Sequence, residues 1–232
     1  MMKDSMYSSG VYLSNNPSWH EEDSSWKAIQ VLKLIEKHGL KIRSICEVGC
    51  GSGEILNQLY ERMGDGIIFT GYEISPQAYE ISKKKEKERL KYHLADISSE
   101  KDNICDLLLC MDVVEHVEDY LGFLRILKKK AAYKVFHIPL DIHVGAVLTR
   151  HFIKIRERAG HIHYFTKETA LATLAGAGYE IIDSYYSDTE LELAGRNMRQ
   201  RLLGIPRRLA DFISTDLSVR LFGGRSLLIL SR

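Results

Sequence analysis

The chain has 232 residues, 45% of them hydrophobic, which is enough to bury one substantial core and excludes a disordered polypeptide. Its 32 Lys and Arg against 31 Asp and Glu leave a net charge of +1, giving no general electrostatic reason to seek nucleic acid or a membrane. The N-terminal MMKDSMYSSG lacks the apolar core of a signal peptide, no run reaches the roughly 18 apolar residues of a membrane span, and Cys46, Cys50, Cys105 and Cys110 form no CxxC pair, so reduced core thiols and a cytoplasmic address are expected.

Taken in chain order, residues 1–40 read as an N-terminal helical cover. WHEEDSSWKAIQVLKLIEKHG predicts a helix from about Asp23 or Ser24 to Gly39, with Trp26, Ile29, Leu32, Leu34 and Ile35 at its apolar positions. From 41 to about 140, short β-branched or apolar runs alternate with longer helical ones, the pattern of a parallel sheet with crossover helices. The strands are IRSICEV (42–48), IIFTGYEI (67–74), LKYHLAD (90–96), CDLLLCM (105–111) and YKVFHIPL (133–140), with helices near 53–63, 76–89 and 118–130. DIHVGAVLTRHFIKIRER then reads as one amphipathic helix, TKETALATLAGAG as a capped helix closed by glycines, and YEIIDSYY and SLLILSR as two last strands. A basic stretch, RNMRQRLLGIPRRLADF, lies between those strands. Residues 41–232 thus read as one domain, with extra segments near 141–165 and 188–224 outside the alternating pattern.

The sharpest local signal is ICEVGCGSGEIL, residues 45–56. A buried strand ends near Glu47, and Gly49, Gly51 and Gly53 precede a helix, an arrangement that lets a ligand approach the backbone and favours an anionic group at the helix N-terminus. A dinucleotide fingerprint would place a third glycine at position 54, where this chain has Glu54, so a pyrophosphate is disfavoured.

These residues resemble the class I S-adenosylmethionine-dependent methyltransferases of the type 11, 12 and 23 groups, over about 42–187. The resemblance implies a Rossmann-like fold: a mostly parallel seven-stranded sheet with an antiparallel last strand and helices on both faces. It also implies a cofactor site. Glu47 would hold the ammonium of S-adenosylmethionine; Glu73, with Ile74 beside it, would accept the ribose hydroxyls. Asp96 would receive the adenine amino group and Ile97 would pack on the ring. The backbone around Gly49, Gly51, Gly53 and Met111 would line the methionine end. Acids at the carboxyl ends of successive strands fall where open α/β sheets bind ligands.

MDVVEH, residues 111–116, would then end the fourth strand beside the methyl donor. Read as a helical turn, it puts Asp112, Glu115 and His116 on one face. Three roles are open: acids capping a helix N-terminus, a general base in His116 supported by Asp112, or a divalent metal site. The run resembles one in ubiquinone-biosynthesis O-methyltransferases and small-RNA terminal 2′-O-methyltransferases, which implies a Mg²⁺ or Mn²⁺ ion on Asp112, Glu115 and His116 with His161 of GHIHYF completing the set. His163, His137 and His143 are further wall residues.

In related enzymes an NPPY or DPPY run at the fourth strand marks methylation of an exocyclic or amide nitrogen; none follows here, so the resemblance implies oxygen as the acceptor, a small-molecule, glycan or secondary-metabolite hydroxyl, with carbon and ring nitrogen open. It also implies substrate covers in the segments near 141–165 and 188–224. The cationic segments around Arg150–Arg158 and Arg196–Arg208 would grip an anionic group on the substrate or rest on a membrane surface. The competing readings are an RNA 2′-O-methyltransferase, for which the neutral charge speaks poorly, and a cofactor-binding module without chemistry. Neither the acceptor nor the oligomeric state is written in the sequence.

Overall fold

A computed structural model describes residues 21–187 and 205–232. It opens on α1 (Glu21–Lys37) and continues through β1 (Ser44–Val48), α2 (Glu54–Arg62), β2 (Ile68–Glu73), α3 (Pro76–Ser82), β3 (Leu90–Leu94), β4 (Cys105–Met111), α4 (Tyr120–Lys128) and β5 (Ala131–Pro139). Then come α5 (Val144–Val147), α6 (His151–Ala159), α7 (Lys167–Gly176), β6 (Ile181–Ser187), α8 (Ile205–Ile213), α9 (Thr215–Phe222) and β7 (Ser226–Ser231).

The strands form one seven-stranded sheet in the order β3-β2-β1-β4-β5-β7-β6. β1 to β5 pair in parallel, and β7 runs antiparallel to both β5 and β6, as expected for the last strand. Strand order reverses between β1 and β4, so their carboxyl ends flank the crevice where such sheets take ligands.

β4 is apolar on both faces because both are covered. Leu107 and Leu109 pack with Ile45, Phe69 and Val135 beneath Val31 and Leu34 of α1 and Leu56 and Leu59 of α2. Leu108 and Cys110 pack on the opposite side with Phe136, Leu124 and Leu127 of α4 and Leu174 of α7. All four cysteines are buried and free.

Helix starts are set by side chains where the sequence provides them. Ser75, with Pro76 behind it, caps α3; Asp119 accepts from the Gly122 N–H at 2.9 Å to cap α4; Thr166 and Thr169 form a reciprocal capping box at α7. α2 is different: the residue before it is Gly53, and no side chain caps its first turn.

Two helical expectations are corrected. The helix expected over 76–89 ends at Ser82, followed by a 3-10 turn at Lys83–Lys85. There the chain must fold back so that Lys87 can bridge to Leu90 at the start of β3. The single helix expected over 141–158 is two, α5 and α6. Thr149 lies between them, its hydroxyl donating to the Gly145 carbonyl at 2.9 Å while its N–H turns to the Ala146 carbonyl at 3.3 Å.

The helix expected from Asp23 or Ser24 to Gly39 spans Glu21–Lys37, and residues 1–20 lie outside the described residues. Of the two cover segments, 141–165 is described throughout; residues 188–204, with Arg196, Arg199 and Arg201, lie outside the described residues, as does the side chain of Arg208.

Candidate active site

The glycine loop leaves β1 and turns back on itself with Gly49, Gly51 and Gly53 all at positive φ. At Gly49 (φ +63°) a Cβ would stand 2.7 Å from Val113 Cγ2, and at Gly53 (φ +75°) it would stand 2.5 Å from the Tyr92 ring. Only glycine combines that backbone with that contact. The Gly53 carbonyl accepts from the Tyr92 hydroxyl at 2.7 Å, fixing the loop onto β3.

Two acids sit under this loop. Glu73, at the end of β2, accepts from the Gly51 N–H at 2.8 Å through Oε2, and from the Ile74 and Ser75 N–H groups at 2.9 and 2.8 Å through Oε1. Burial raises its pKa against the pull of those donors. Glu47 is buried at 1% exposure, and its Oε2 has no hydrogen-bond partner. Burial pushes its carboxyl well above the usual range, with Lys27 opposing. A buried carboxylate oxygen without a donor is costly and calls for a cationic or donating ligand.

Farther along the edge, Asp96 is exposed and accepts from the Ser98 N–H at 2.8 Å, capping a 3-10 turn. Ile97 is sealed in the core at 1% exposure rather than open to a ring, whereas the apolar side chain of Ile74 stands 48% exposed. Met111 is buried at the end of β4.

MDVVEH does not form the helical turn expected of it. Asp112 takes φ +54°, outside the helical region, and the turn that follows is a short 3-10 segment, Val114–His116. The shared face is therefore lost. Asp112 points toward α1 and β5, its Oδ2 2.6 Å from Lys27 Nζ and its Oδ1 2.6 Å from His137 Nδ1. Burial works to raise its pKa, but His137 and Lys27 outweigh it and hold the carboxyl below the usual range. His137 continues the chain of contacts to Ser187 Oγ at 2.8 Å.

Glu115 and His116 meet His161 instead. Ligand atoms of the three lie within 4.8 Å of one another. The GHIHYF segment is drawn in by the Glu115 carbonyl, which accepts from the Ile162 and His163 N–H groups at 2.9 and 3.1 Å. His116 Nδ1 donates to the Gly160 carbonyl at 3.1 Å, and His161 Nδ1 lies 2.7 Å from Asp141 Oδ2. Both rings are thus held through Nδ1, and His116 Nε2 lies 3.8 Å from Glu115 Oε1. Glu115 is 0% exposed, and neither carboxylate oxygen has a hydrogen-bond partner. Burial, then the Asp112 charge, pushes its pKa well above the usual range. Burial and the His161 ring lower His116 to about 4, so it is neutral at pH 7 and poor at accepting a proton.

A second correction follows from this geometry. Asp112 was expected as base partner and first metal ligand; it is committed to Lys27 and His137, and Asp141 takes the supporting role through His161. His163 lies outside the cluster, 4.5 Å from the Tyr120 ring centroid.

Sequence reasoning passed over Lys27, Asp141 and the network role of His137. Lys27 did carry a signal: it falls among Ser24, Ala28, Val31 and Leu34 on the buried stripe of α1, where an unpaired lysine would be unstable. Asp141, after IPL, reads as an ordinary loop residue.

Residues 19–184 match the family model described as a methyltransferase domain. The chain is 33% identical over 102 residues to the mitochondrial ubiquinone biosynthesis O-methyltransferase of Schizosaccharomyces pombe, covering 41% of this chain and 36% of the relative. It is 26% identical over 128 residues to the ubiquinone biosynthesis O-methyltransferase of Actinobacillus pleuropneumoniae, covering 48% and 53%. The matched stretches therefore span about a third to a half of those relatives' own lengths. Among solved structures, the N-methyltransferase NodS of Bradyrhizobium japonicum, in complex with S-adenosyl-L-homocysteine, superposes with a TM-score of 0.62 at 17% identity, covering 99% of this chain and 98% of that one. A magnesium protoporphyrin IX methyltransferase from Synechocystis, also with the demethylated cofactor bound, gives 0.62 at 13% identity, covering 97% and 94%. At such identities the likeness is one of fold. Among the described residues, no helix is long and apolar enough to cross a membrane.

Proposed function

Because the chain belongs to the class I S-adenosylmethionine-dependent methyltransferases, we propose that it methylates a hydroxyl oxygen of a small molecule at the Glu115, His116 and His161 cluster, and that this cluster holds a divalent cation, Mg²⁺ or Mn²⁺. The observation that carries this reading is Glu115: both its oxygens are buried without a partner, beside two imidazoles held by Nδ1. Glu115, His116 and His161 would hold such a cation, which would favour the anionic carboxylate, and the mixed carboxylate and imidazole set suits it. The printed names of the relatives, both O-methyltransferases, support oxygen as the acceptor.

On the cofactor side the residues fit S-adenosylmethionine. Glu47 Oε2 would take the ammonium, Glu73 the ribose hydroxyls, Asp96 the adenine amino group and Ile74 the ring face, with Gly49, Gly51, Gly53 and Met111 shaping the walls and Ile97 backing them from the core. α1 serves as the cover of this half. When bound, the cofactor supplies an electrophilic methyl group on a sulfonium, and the divalent ion supplies a Lewis acid that lowers the pKa of a hydroxyl. The protein's own part is positioning: β4 and the glycine loop fix the donor side, and GHIHYF, hooked onto Glu115, fixes the acceptor side. His116, neutral at pH 7, serves as a ligand rather than as the base.

The test is direct. Purified protein treated with chelator is assayed for S-adenosylhomocysteine formation with phenols, catechols and sugar hydroxyls, with and without Mg²⁺ or Mn²⁺. Turnover that depends on metal in the wild type and is lost in Glu115→Ala supports the proposal. Full turnover after chelation would sink the metal site while leaving the methyltransferase reading intact.

A further inference from the structure

The segment after β5 is built inside out. Across the short α5 the small residues face the protein: Ala146 is fully buried, and a Cβ on Gly145 would stand 3.2 Å from the His143 ring and 3.7 Å from the Leu221 carbonyl of α9. The large apolar residues face the other way. Val144, Val147 and Leu148, at i, i+3 and i+4 on one face, are 48%, 66% and 79% exposed, and Ile153 on α6 is exposed as well. Branched aliphatic side chains grouped on one face and left to water mark an interaction site.

The same stretch carries a surplus of positive charge. Residues 144–158 contain Arg150, Lys154, Arg156 and Arg158 against a single acid, Glu157, in a chain whose net charge is only +1. All four cations are exposed, and none has an ion pair among the described residues. Other surfaces are different: Lys37, Arg89 and Arg232 each face a carboxylate. Arg150, Lys154 and Arg158 stand four residues apart in one stripe, where like charges repel one another unless an outside anion joins them.

We propose that this face docks the protein on an anionic lipid bilayer, with Val144, Val147 and Leu148 entering the boundary between headgroups and acyl chains and Arg150, Lys154 and Arg158 lying on the lipid phosphates. An apolar face flanked by cations suits an interface of negative surface potential. The other occupants fit less well. Aliphatic side chains offer no ring on which a base could stack, which disfavours a single-stranded nucleic acid, and a second copy of the chain related by a two-fold axis would set the four cations against themselves. The docked face adjoins the acceptor half: α6 ends at Ala159, the Gly160 carbonyl that follows meets His116, and His161 belongs to the cluster. Docking would hold that half close to the lipid, whatever the acceptor and whether or not the cluster binds metal.

The experiment is co-sedimentation of the full chain with vesicles of phosphatidylcholine alone and of phosphatidylcholine mixed with phosphatidylglycerol, at low and high salt. The wild type should pellet with the mixed vesicles and not with the neutral ones, and salt should release it. Each cation near such a surface contributes about fivefold, so Arg150→Gln, Lys154→Gln and Arg158→Gln together should weaken binding by about 100-fold. Val147→Ser with Leu148→Ser should weaken it by at least about tenfold. Both variants should bind S-adenosylmethionine as the wild type does by calorimetry, which checks that they are folded. A wild type that ignores the mixed vesicles, or a double serine variant that binds them as tightly as the wild type, overturns the assignment. So does a wild-type dimer in solution that the same serine substitutions split into monomers, since a second copy then covers the face. Leu148→Trp gives a reading that needs no loss of binding: its emission should shift to the blue on the mixed vesicles, and an unshifted emission also overturns the proposal.

Discussion

Each half of the site contains a buried carboxyl group left short of partners, and the two are built in different ways. Glu47 is the penultimate residue of β1, two residues before Gly49 opens the loop, and its Oε2 is buried without a hydrogen-bond partner. Glu115 follows β4, both its oxygens are buried without a partner, and the groups that face it are the adjacent His116 and, from far along the chain, His161, with Asp141 behind His161. The cofactor half is thus a local construction of strand ends and glycines. The acceptor half is assembled from segments far apart in the chain, and a small change in any of them reaches the others. This difference predicts that the cofactor half breaks all at once, whereas the acceptor half can be taken apart by degrees.

The largest effect should come from Gly49→Val, which forces a side chain into Val113 at a backbone angle that valine avoids. Cofactor affinity measured by calorimetry should fall beyond detection, at least 100-fold, and turnover should vanish with it. Next is Glu115→Met. Turnover should drop by about 10²- to 10⁴-fold with cofactor affinity unchanged, while removal of a buried, unpartnered carboxyl raises stability by about 1–3 kcal/mol. Turnover assays and denaturant unfolding on the same preparation read both. A fall in stability would mean that Glu115 has a structural partner, and the comparison between the halves would fail.

A smaller effect is expected from Asp141→Asn, which keeps the shape but weakens the hold on His161 Nδ1. Metal affinity and turnover should each fall by about 10- to 100-fold, with cofactor binding intact. Smallest is the tie between the end of α1 and β6. Asp183 lies 2.6 Å from Lys37 and 2.8 Å from His38, and although burial would raise its pKa, these partners hold it below the usual value. A carboxyl depressed in the fold contributes stability above its ordinary pKa of about 3.9 and loses it as pH falls through the folded value. Asp183→Asn should therefore cost no more than about 1 kcal/mol at neutral pH, shrinking to nothing in acid. Unfolding midpoints at pH 7 and pH 3 test this, and neither half of the site should register the change.

The contrast also explains what could be read in advance. The strands were legible because apolar runs bounded by turns admit few other conformations, and the glycine loop because its steric demand excludes other residues. Glu115, His116 and His161 were legible as a group. Asp112 was misplaced because spacing alone cannot show that its backbone leaves the helical region. Neither Lys27 nor Asp141 was singled out, since each meets its partner, Asp112 or His161, only across a gap in the sequence.

The sequence by itself determined the sheet, the acids at its carboxyl edge and hence the family, because hydrophobic period and glycine geometry are local properties of the chain. Only the tertiary structure decided which polar side chains share a charge environment: that Lys27 takes Asp112 away from Glu115, that Asp141 stands behind His161, and that burial makes His116 neutral. Those outcomes depend on distance and desolvation between segments, and neither quantity exists until the chain has closed.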